Sequence, residues 1–334
     1  MKDLFGRGSR DIVPIAETGD RFVDFMPYVA SVNDRGVVAF QATLSGGGSG
    51  VYRGTGGPIA AAIEHGADAV VDIISHPDID ASGSACCYAN LTRGGRSVIL
   101  VRDGRISVLA EDCGPLGPAM NDQGTVAYRA NPGSGASGVF TWSEGSIACI
   151  ASTSGRFSAF HGLPVIDRRG AVAFRADLTA GGQAICVGDG GTLTTIAETG
   201  EVFSDLGRFP SMNEAGEVAF TATLQDGQMG VFVASEGRIA TIIDTGERFE
   251  SFRGALLDGV GRVVFYATPR GGSLGVFTGP DPVADQVISL GAPLFGSTVV
   301  DFALNPVSIN GVGQLALRVR LADERQLVVR ADPT

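Results

Sequence analysis

Short apolar runs rich in Val, Ile, Phe and Thr follow one another along the whole chain, separated by turns that carry glycine. No stretch sustains the three-and-four spacing of an amphipathic helix, so the predicted elements are strands. Between residues 204 and 243 the runs fall at 204–212, 216–224, 229–234 and 238–243. The first two are joined by Asn213-Glu214-Ala215-Gly216, a hairpin turn in which Asn and Gly tolerate the positive φ that other residues resist.

The same phrase returns through the chain: Asn33–Gly36, Asp80–Gly83, Asn121–Gly124, Asp167–Gly170, Asn213–Gly216, Asp258–Gly261 and Asn310–Gly313. Four residues after each Gly stands Phe40, Cys87, Tyr128, Phe174, Phe220, Phe265 or Leu317. This is a tandem repeat of about 46 residues, and four short strands per copy at that period is the pattern of a β-propeller blade. The expected fold is all-β: a single seven-bladed propeller of four-stranded antiparallel blades, at about 22–64, 69–110, 114–151, 158–197, 204–243, 250–288 and 299–331. The last copy stops after its third strand. Residues 12–16, in "DIVPIAETGDRF", match the fourth strands in "TLTTIAETGEVF" and "RIATIIDTGERF", so they are expected to complete blade seven and close the ring.

The phrase "PSMNEAGEVAFTATL", followed by "GVF" and "IIDTG", resembles the bacterial tandem-repeat family with an N-x-x-G-x-x-x-F signature, often called choice-of-anchor proteins. More distantly it is similar to the blades of TolB-like propellers. The resemblance implies the propeller fold over nearly the whole chain and carries little about function, because the shared motif is structural. Members are often surface proteins; this sequence departs from them in showing neither a secretion signal nor a sorting anchor.

Composition narrows the reading. A net charge of −11 and a pI near 4.7 argue against nucleic acid or an anionic membrane as partner. No apolar run has signal-peptide or membrane-helix length, so the expectation is a cytoplasmic monomer. The only lysine is Lys2, which excludes Schiff-base or lysine general-base chemistry in the body of the chain. Five cysteines (Cys86, Cys87, Cys113, Cys149, Cys186) without CxxC spacing read as reduced core thiols. No dinucleotide, phosphate-loop, nucleophile-elbow or calcium-loop motif stands in its required context, so no cofactor and no metal are expected.

Candidate chemistry lies where the repeat disagrees with itself. In the register of the repeat, the loops joining one blade to the next ring the mouth, and the Asn/Asp-x-x-Gly turns lie on the opposite face. One residue after the bulky position come Gln41, Tyr88, Arg129, Arg175, Thr221, Tyr266 and Arg318. Three arginines in one layer of an acidic protein read either as inter-blade ion pairs or as forks for a carboxylate, phosphate or enolate. Under the second reading Arg129, Arg175, Arg318 and Gln41 bind substrate, and Tyr266, His161, Tyr88 and His76 are the acid–base candidates. His65 follows Glu64 in the first inter-blade loop. The functional expectation is a cofactor-independent enzyme of lyase, cyclase, isomerase or hydrolase type acting on a small polar or anionic organic molecule, in a setting such as specialised-metabolite biosynthesis. The alternatives are a propeller scaffold that binds a protein or small ligand and a surface protein, and fold alone does not choose among them.

Overall fold

The computed structural model describes residues 5–6, 10–26, 29–66, 70–93, 95–111, 114, 116–131 and 136–334. Seven antiparallel sheets stand around one axis as the blades of a β-propeller. Counting outwards from the axis, blade 4 holds Phe157–Ile166, Val172–Leu178, Gln183–Gly188 and Leu193–Glu198. Blade 5 holds Phe203–Leu206 with Ser211–Met212, then Val218–Leu224, Met229–Ser235 and Arg238–Asp244. The other blades follow the same order. Blade 7 takes its three inner strands from Ser297–Ala303, Leu315–Leu321 and Gln326–Pro333, with the two-residue strand Pro293–Leu294 folded back on the first. Its outermost strand is Arg10–Glu17, running antiparallel to Gln326–Pro333 from Arg10 opposite Pro333 to Glu17 opposite Leu327. The closure read from residues 12–16 is present and slightly longer.

The bulky position of each repeat forms the centre of its blade. Phe40, Cys87, Tyr128, Phe174, Phe220, Phe265 and Leu317 are each no more than 1% exposed. In blades 5 and 6 they stack on an aromatic of the next strand, Phe220 on Phe232 and Phe265 on Phe277. An inner-strand ring meets them edge-on: Phe203 against Phe220 and Phe249 against Phe265. Removing one such ring costs about 3–5 kcal/mol, in line with a large residue at every blade but the second, where Cys87 takes the place.

The repeated turn has a plain physical basis. The Oδ1 of its first residue accepts the backbone N–H groups two and four residues on, as in Asn213 with Ala215 (3.1 Å) and Glu217 (3.0 Å). The glycine of each turn has positive φ, +80° at Gly216. What the first residue does with its other atom depends on whether it is Asn or Asp. Asn33, Asn121, Asn213 and Asn310 donate Nδ2 to a backbone carbonyl of the next blade, at Asp80 (2.8 Å), Asp167 (2.9 Å), Asp258 (3.2 Å) and Asn33 (2.8 Å). Asp cannot donate, so the three remaining junctions are bonded through the next turn residue. The Ala81 N–H reaches Asp122 Oδ1 (2.7 Å), the Arg168 N–H reaches Glu214 Oε2 (2.7 Å), and the Gly259 N–H reaches the Gly311 carbonyl (3.0 Å). All seven junctions are thus tied at this face.

Of the cysteines, Cys86, Cys87 and Cys186 are buried as expected, whereas Cys149 is exposed on an outermost strand, whose far side faces solvent. Cys113 lies outside the described residues.

Candidate functional site

At the opposite face the inner strands do not continue to the mouth as regular ladders. Blade 5, read above as one strand over 204–212, breaks between Leu206 and Ser211; blade 1 breaks between Asp24 and Ser31, and blade 2 between Ile73 and Asp78. Blades 4 and 6 stay continuous but slip register between His161 and Val165 and between Phe252 and Gly254. Proline explains much of this. Pro77, Pro164 and Pro210 each stand three residues before the turn motif, where a missing N–H removes a ladder bond. Gly162, at φ +66°, completes the kink in blade 4: a Cβ there would sit 1.8 Å from the Arg208 carbonyl oxygen of blade 5.

The broken ends are held by the preceding blade. Ser49 donates to Asp72 (2.7 Å) and accepts the Ile73 N–H (3.1 Å). Gln183 donates to Asp205 (2.8 Å) and accepts the Leu206 N–H (2.7 Å). Gln326 donates to Asp24 and accepts the Phe25 N–H (3.2 Å). Sequence reasoning passed over these clasps, although "FVDF", "VVDI", "FSDL" and "VVDF" recur at one place in the repeat and signal them. In blade 2 the place of Ser49, Gln183 and Gln326 is taken by Arg96, opposite Asn90; the inner-strand position of blade 3 that corresponds to Asp72 and Asp205 falls at residues 112–113, outside the described residues.

Two adjoining cavities open where the strands break. The larger, of about 560 Å³, has an apolar wall that includes Val29, Ile74, Leu163, Phe209 and Leu304. Its polar side is made of His76, Tyr88, Asn90, Arg96 and Asn305. The smaller, of about 130 Å³, runs towards blade 6 and is lined by Arg253 and Tyr266. Phe209, Leu304 and Asn305 line both, so the two adjoin along these residues and together make up the axial space. A third cavity, of about 140 Å³, lies at the turn face and carries Asp34, Asp78, Asp122 and Glu214. Those carboxylates already accept backbone N–H groups: Gly311 onto Asp34, Ala81 onto Asp122, Arg168 onto Glu214, and Ile79 and Met120 onto Asp78. Burial pushes the Asp78 carboxyl up to about 7 against these bonds.

The arginine layer does not converge on the axis. It sits on second strands, whose side chains point to the two faces of the sheet, behind the inner strand that lines the channel. Arg129 reaches from blade 3 to the Gly162 carbonyl of blade 4 (2.7 Å), and burial lowers its pKa. Arg175 binds Asp177 Oδ1 (2.8 Å), while His161 Nε2 lies 2.7 Å from Oδ2 of the same carboxylate. Arg318 pairs with Asp301 within blade 7. Gln41 is buried in blade 1. Gln41 Oε1, Arg175 Nε and Arg318 Nε are buried with no partner among the described residues. In place of the shared pocket expected of Arg129, Arg175, Arg318 and Gln41, Arg129 crosses to blade 4, Arg175 and Arg318 pair with carboxylates of their own blades, and Gln41 is buried in blade 1.

The acid–base candidates divide. His161 belongs to the Asp177 cluster rather than to the axial space. Tyr88 lines the larger lobe, but its hydroxyl accepts the Arg129 N–H of blade 3 (3.2 Å). His76 also lines that lobe. It is 3% exposed, stacked on Gly117, with Nε2 3.1 Å from the Pro118 carbonyl oxygen, to which it donates. Burial lowers its pKa to about 4, with bonds to the Pro118 and Leu116 backbone opposing the shift. The expectation of a neutral-range imidazole there is therefore corrected: His76 is a neutral strut between blades 2 and 3. Tyr266 packs against Phe302 of blade 7 (5.3 Å between ring centroids), and its hydroxyl has no hydrogen bond among the described residues. Burial raises its pKa, and the Arg253 cation pulls the other way. Outside the axial space, His65 accepts no role in it; its Nδ1 lies 2.7 Å from the Val71 carbonyl oxygen.

Among the described residues no group of three or more His, Cys, Asp or Glu is gathered as a metal would require, and no helix is long and apolar enough to cross a membrane.

No family model matches the chain, and no curated protein matches it. Solved structures do. An oligogalacturonate lyase in complex with manganese is similar with a TM-score of 0.58 at 10% identity, over 98% of each chain. A puromycin-hydrolysing peptidase of Mycobacterium tuberculosis is similar with a TM-score of 0.57 at 14% identity; the match covers 100% of this chain and 55% of that one. A putative TolB from Agrobacterium tumefaciens gives a TM-score of 0.47 at 14% identity, over 71% of this chain and 89% of that one, too low to carry an argument. At such identities the likeness is one of fold alone.

Proposed function

We propose that this propeller binds a small organic molecule in the two-lobed axial space and carries out acid–base chemistry on it with Tyr266 as proton donor. The observation that carries the reading is the sharing of Phe209, Leu304 and Asn305 by both lobes, which lets Tyr266 face the same ligand as the larger cavity. A volume of about 560 Å³ suits a small metabolite. Burial keeps the proton on the Tyr266 phenol at neutral pH, so the group gives a proton rather than takes one. Arg253 beside it stabilises the phenolate, or the oxyanion of the ligand, as charge develops. The substrate is polar or anionic, and the reaction is of lyase, cyclase, isomerase or hydrolase type. Proteins of this fold include a lyase and a peptidase, and neither likeness brings its substrate to this chain.

A thermal-shift screen of small organic acids and neutral metabolites against the wild type and Leu163→Trp tests the reading. The substitution fills the larger lobe and lies away from Tyr266. Hits that raise the melting temperature of the wild type and not of the filled variant support it; hits indifferent to the filling overturn it. Mass spectrometry of each hit after incubation with wild type and Tyr266→Phe then tests the chemistry. Turnover should fall at least about a hundredfold without the hydroxyl.

A further inference from the structure

The walls of the axial space are not polar at random. Arg253 and Tyr266 belong to blade 6, and Arg96 and Asn90 to blade 2, on the other side of the axis. Between them the wall is apolar, with Ile74, Leu163, Phe209 and Leu304. The chain carries 36 acidic against 25 basic residues, and many of its arginines are engaged: Arg156 with Glu198, Arg262 with Asp258, Arg330 with Asp332. Arg253 and Arg96 have no ion pair or hydrogen bond among the described residues. Both reach solvent, so each guanidinium at its end of the apolar space is open to an incoming anion without first giving up a partner.

Resting on the reading of the axial space as the ligand site, we infer that its ligand is two-ended: an apolar middle with an anionic group, such as a carboxylate, at each end. One anion is held by Arg253 with a hydrogen bond from Tyr266, the other by Arg96 with the Asn90 amide. A guanidinium fork matches a carboxylate in both charge and geometry. The apolar middle lies across Leu163 and Phe209, where a charged or strongly hydrated centre would be desolvated without compensation. The clasps fix where the ends go. Ser49, Gln183 and Gln326 spend their polar atoms on the neighbouring inner strand, whereas the same place in blade 2 holds the cationic Arg96, which makes one end of the space basic.

Titration calorimetry with adipate, suberate and sebacate, their monomethyl esters and the neutral dimethyl suberate tests this on the full chain. Arg253→Gln, Arg96→Gln and Leu163→Trp serve as variants. The expected result is an optimum length among the diacids, with the monoester of that length at least about tenfold weaker, the loss of one charge-assisted bond. Each arginine variant should bind the diacid about as the wild type binds the monoester, and should leave the neutral diester unchanged. If diacid and diester bind alike, lose affinity together in Leu163→Trp and ignore both arginines, the two-ended ligand is wrong while the axial site stands. If the diacid binds and neither its length nor Leu163→Trp matters, or if no probe in the series binds, both readings fall.

Discussion

The two ends of the propeller axis are built from the same inner strands and treat their polar groups in opposite ways. At the turn face every blade junction is bonded, through Asn amides, through Asp and Glu side chains or, between blades 6 and 7, through backbone, and the carboxylates around the small cavity are occupied by backbone N–H groups. At the loop face the strands break at Pro77, Pro210 and the Gly162 kink, and an apolar cavity opens whose arginines and Tyr266 hydroxyl have no bonded partner among the described residues. A repeat protein needs one face that holds its register, and only the face relieved of that task is at liberty to bind something else.

The largest expected effect asks whether the two faces belong to one cooperative ring. Deleting residues 1–17 strips the outer strand from blade 7 and bares the edge of Gln326–Pro333. The truncated chain should aggregate or lose its cooperative melting transition; an unchanged transition would show that closure does not stabilise the ring.

Next comes the kink at the loop face. In Gly162→Ala the added Cβ meets backbone, the Arg208 carbonyl oxygen at 1.8 Å, at a positive φ. A loss of about 3–5 kcal/mol in denaturant unfolding is expected, since no side-chain rotation relieves it. A loss below about 1 kcal/mol would mean that the break in blade 4 is soft.

The pH dependence separates the faces by sign. His76, at the loop face, has a folded pKa of about 4, below its ordinary 6.5, so the unfolded chain binds the extra proton. Its contribution is complete above pH 6.5 and falls by about 3 kcal/mol on acidification to pH 4. Asp78, at the turn face, has its pKa raised to about 7, and its contribution runs the other way, falling as pH rises from 3.8 to 7. The difference in unfolding free energy between the wild type and His76→Gln should therefore shrink by about 3 kcal/mol from pH 7 to pH 4. A difference independent of pH would place a solvated imidazole at His76.

A smaller effect is expected at the turn. Gly216→Val forces a β-branched residue to φ +80°, but the nearest atom to its Cβ is Arg169 Nη2, the end of a flexible side chain. The loss should be about 1–3 kcal/mol, with ligand affinity unchanged in the folded fraction. Weakened binding at normal stability would put the site at this face.

The fold was legible because its signal is repeated: seven Asn/Asp-x-x-Gly turns, the bulky residue behind each and the fourth-strand phrase stranded at the front of the chain. The site was legible only in part. Tyr266, Tyr88 and His76 do line the axial space, yet Tyr88 and His76 do so because the inner strand of blade 2 breaks between Ile73 and Asp78, and Tyr266 stands beside the register slip at Phe252–Gly254 in blade 6, neither of which the repeat pattern marks. The arginines were misplaced because equal height in the repeat says nothing about direction: Arg129 points at the neighbouring blade, whereas Arg318 pairs within its own. Arg253 and Arg96 were missed because each sits where the repeat has no fixed residue type, so nothing marks either until the cavity is seen.

The most direct test of the central claim, that ligand binding belongs to the loop face, is hydrogen exchange with a hit from the thermal-shift screen. Protection is predicted in the broken inner-strand segments, at Ile74–Ser75, Leu163, Arg208–Phe209, Arg253–Gly254 and Leu304–Asn305, with exchange at the turns around Asp34, Asp122 and Glu214 unchanged. Protection confined to those turns would contradict it.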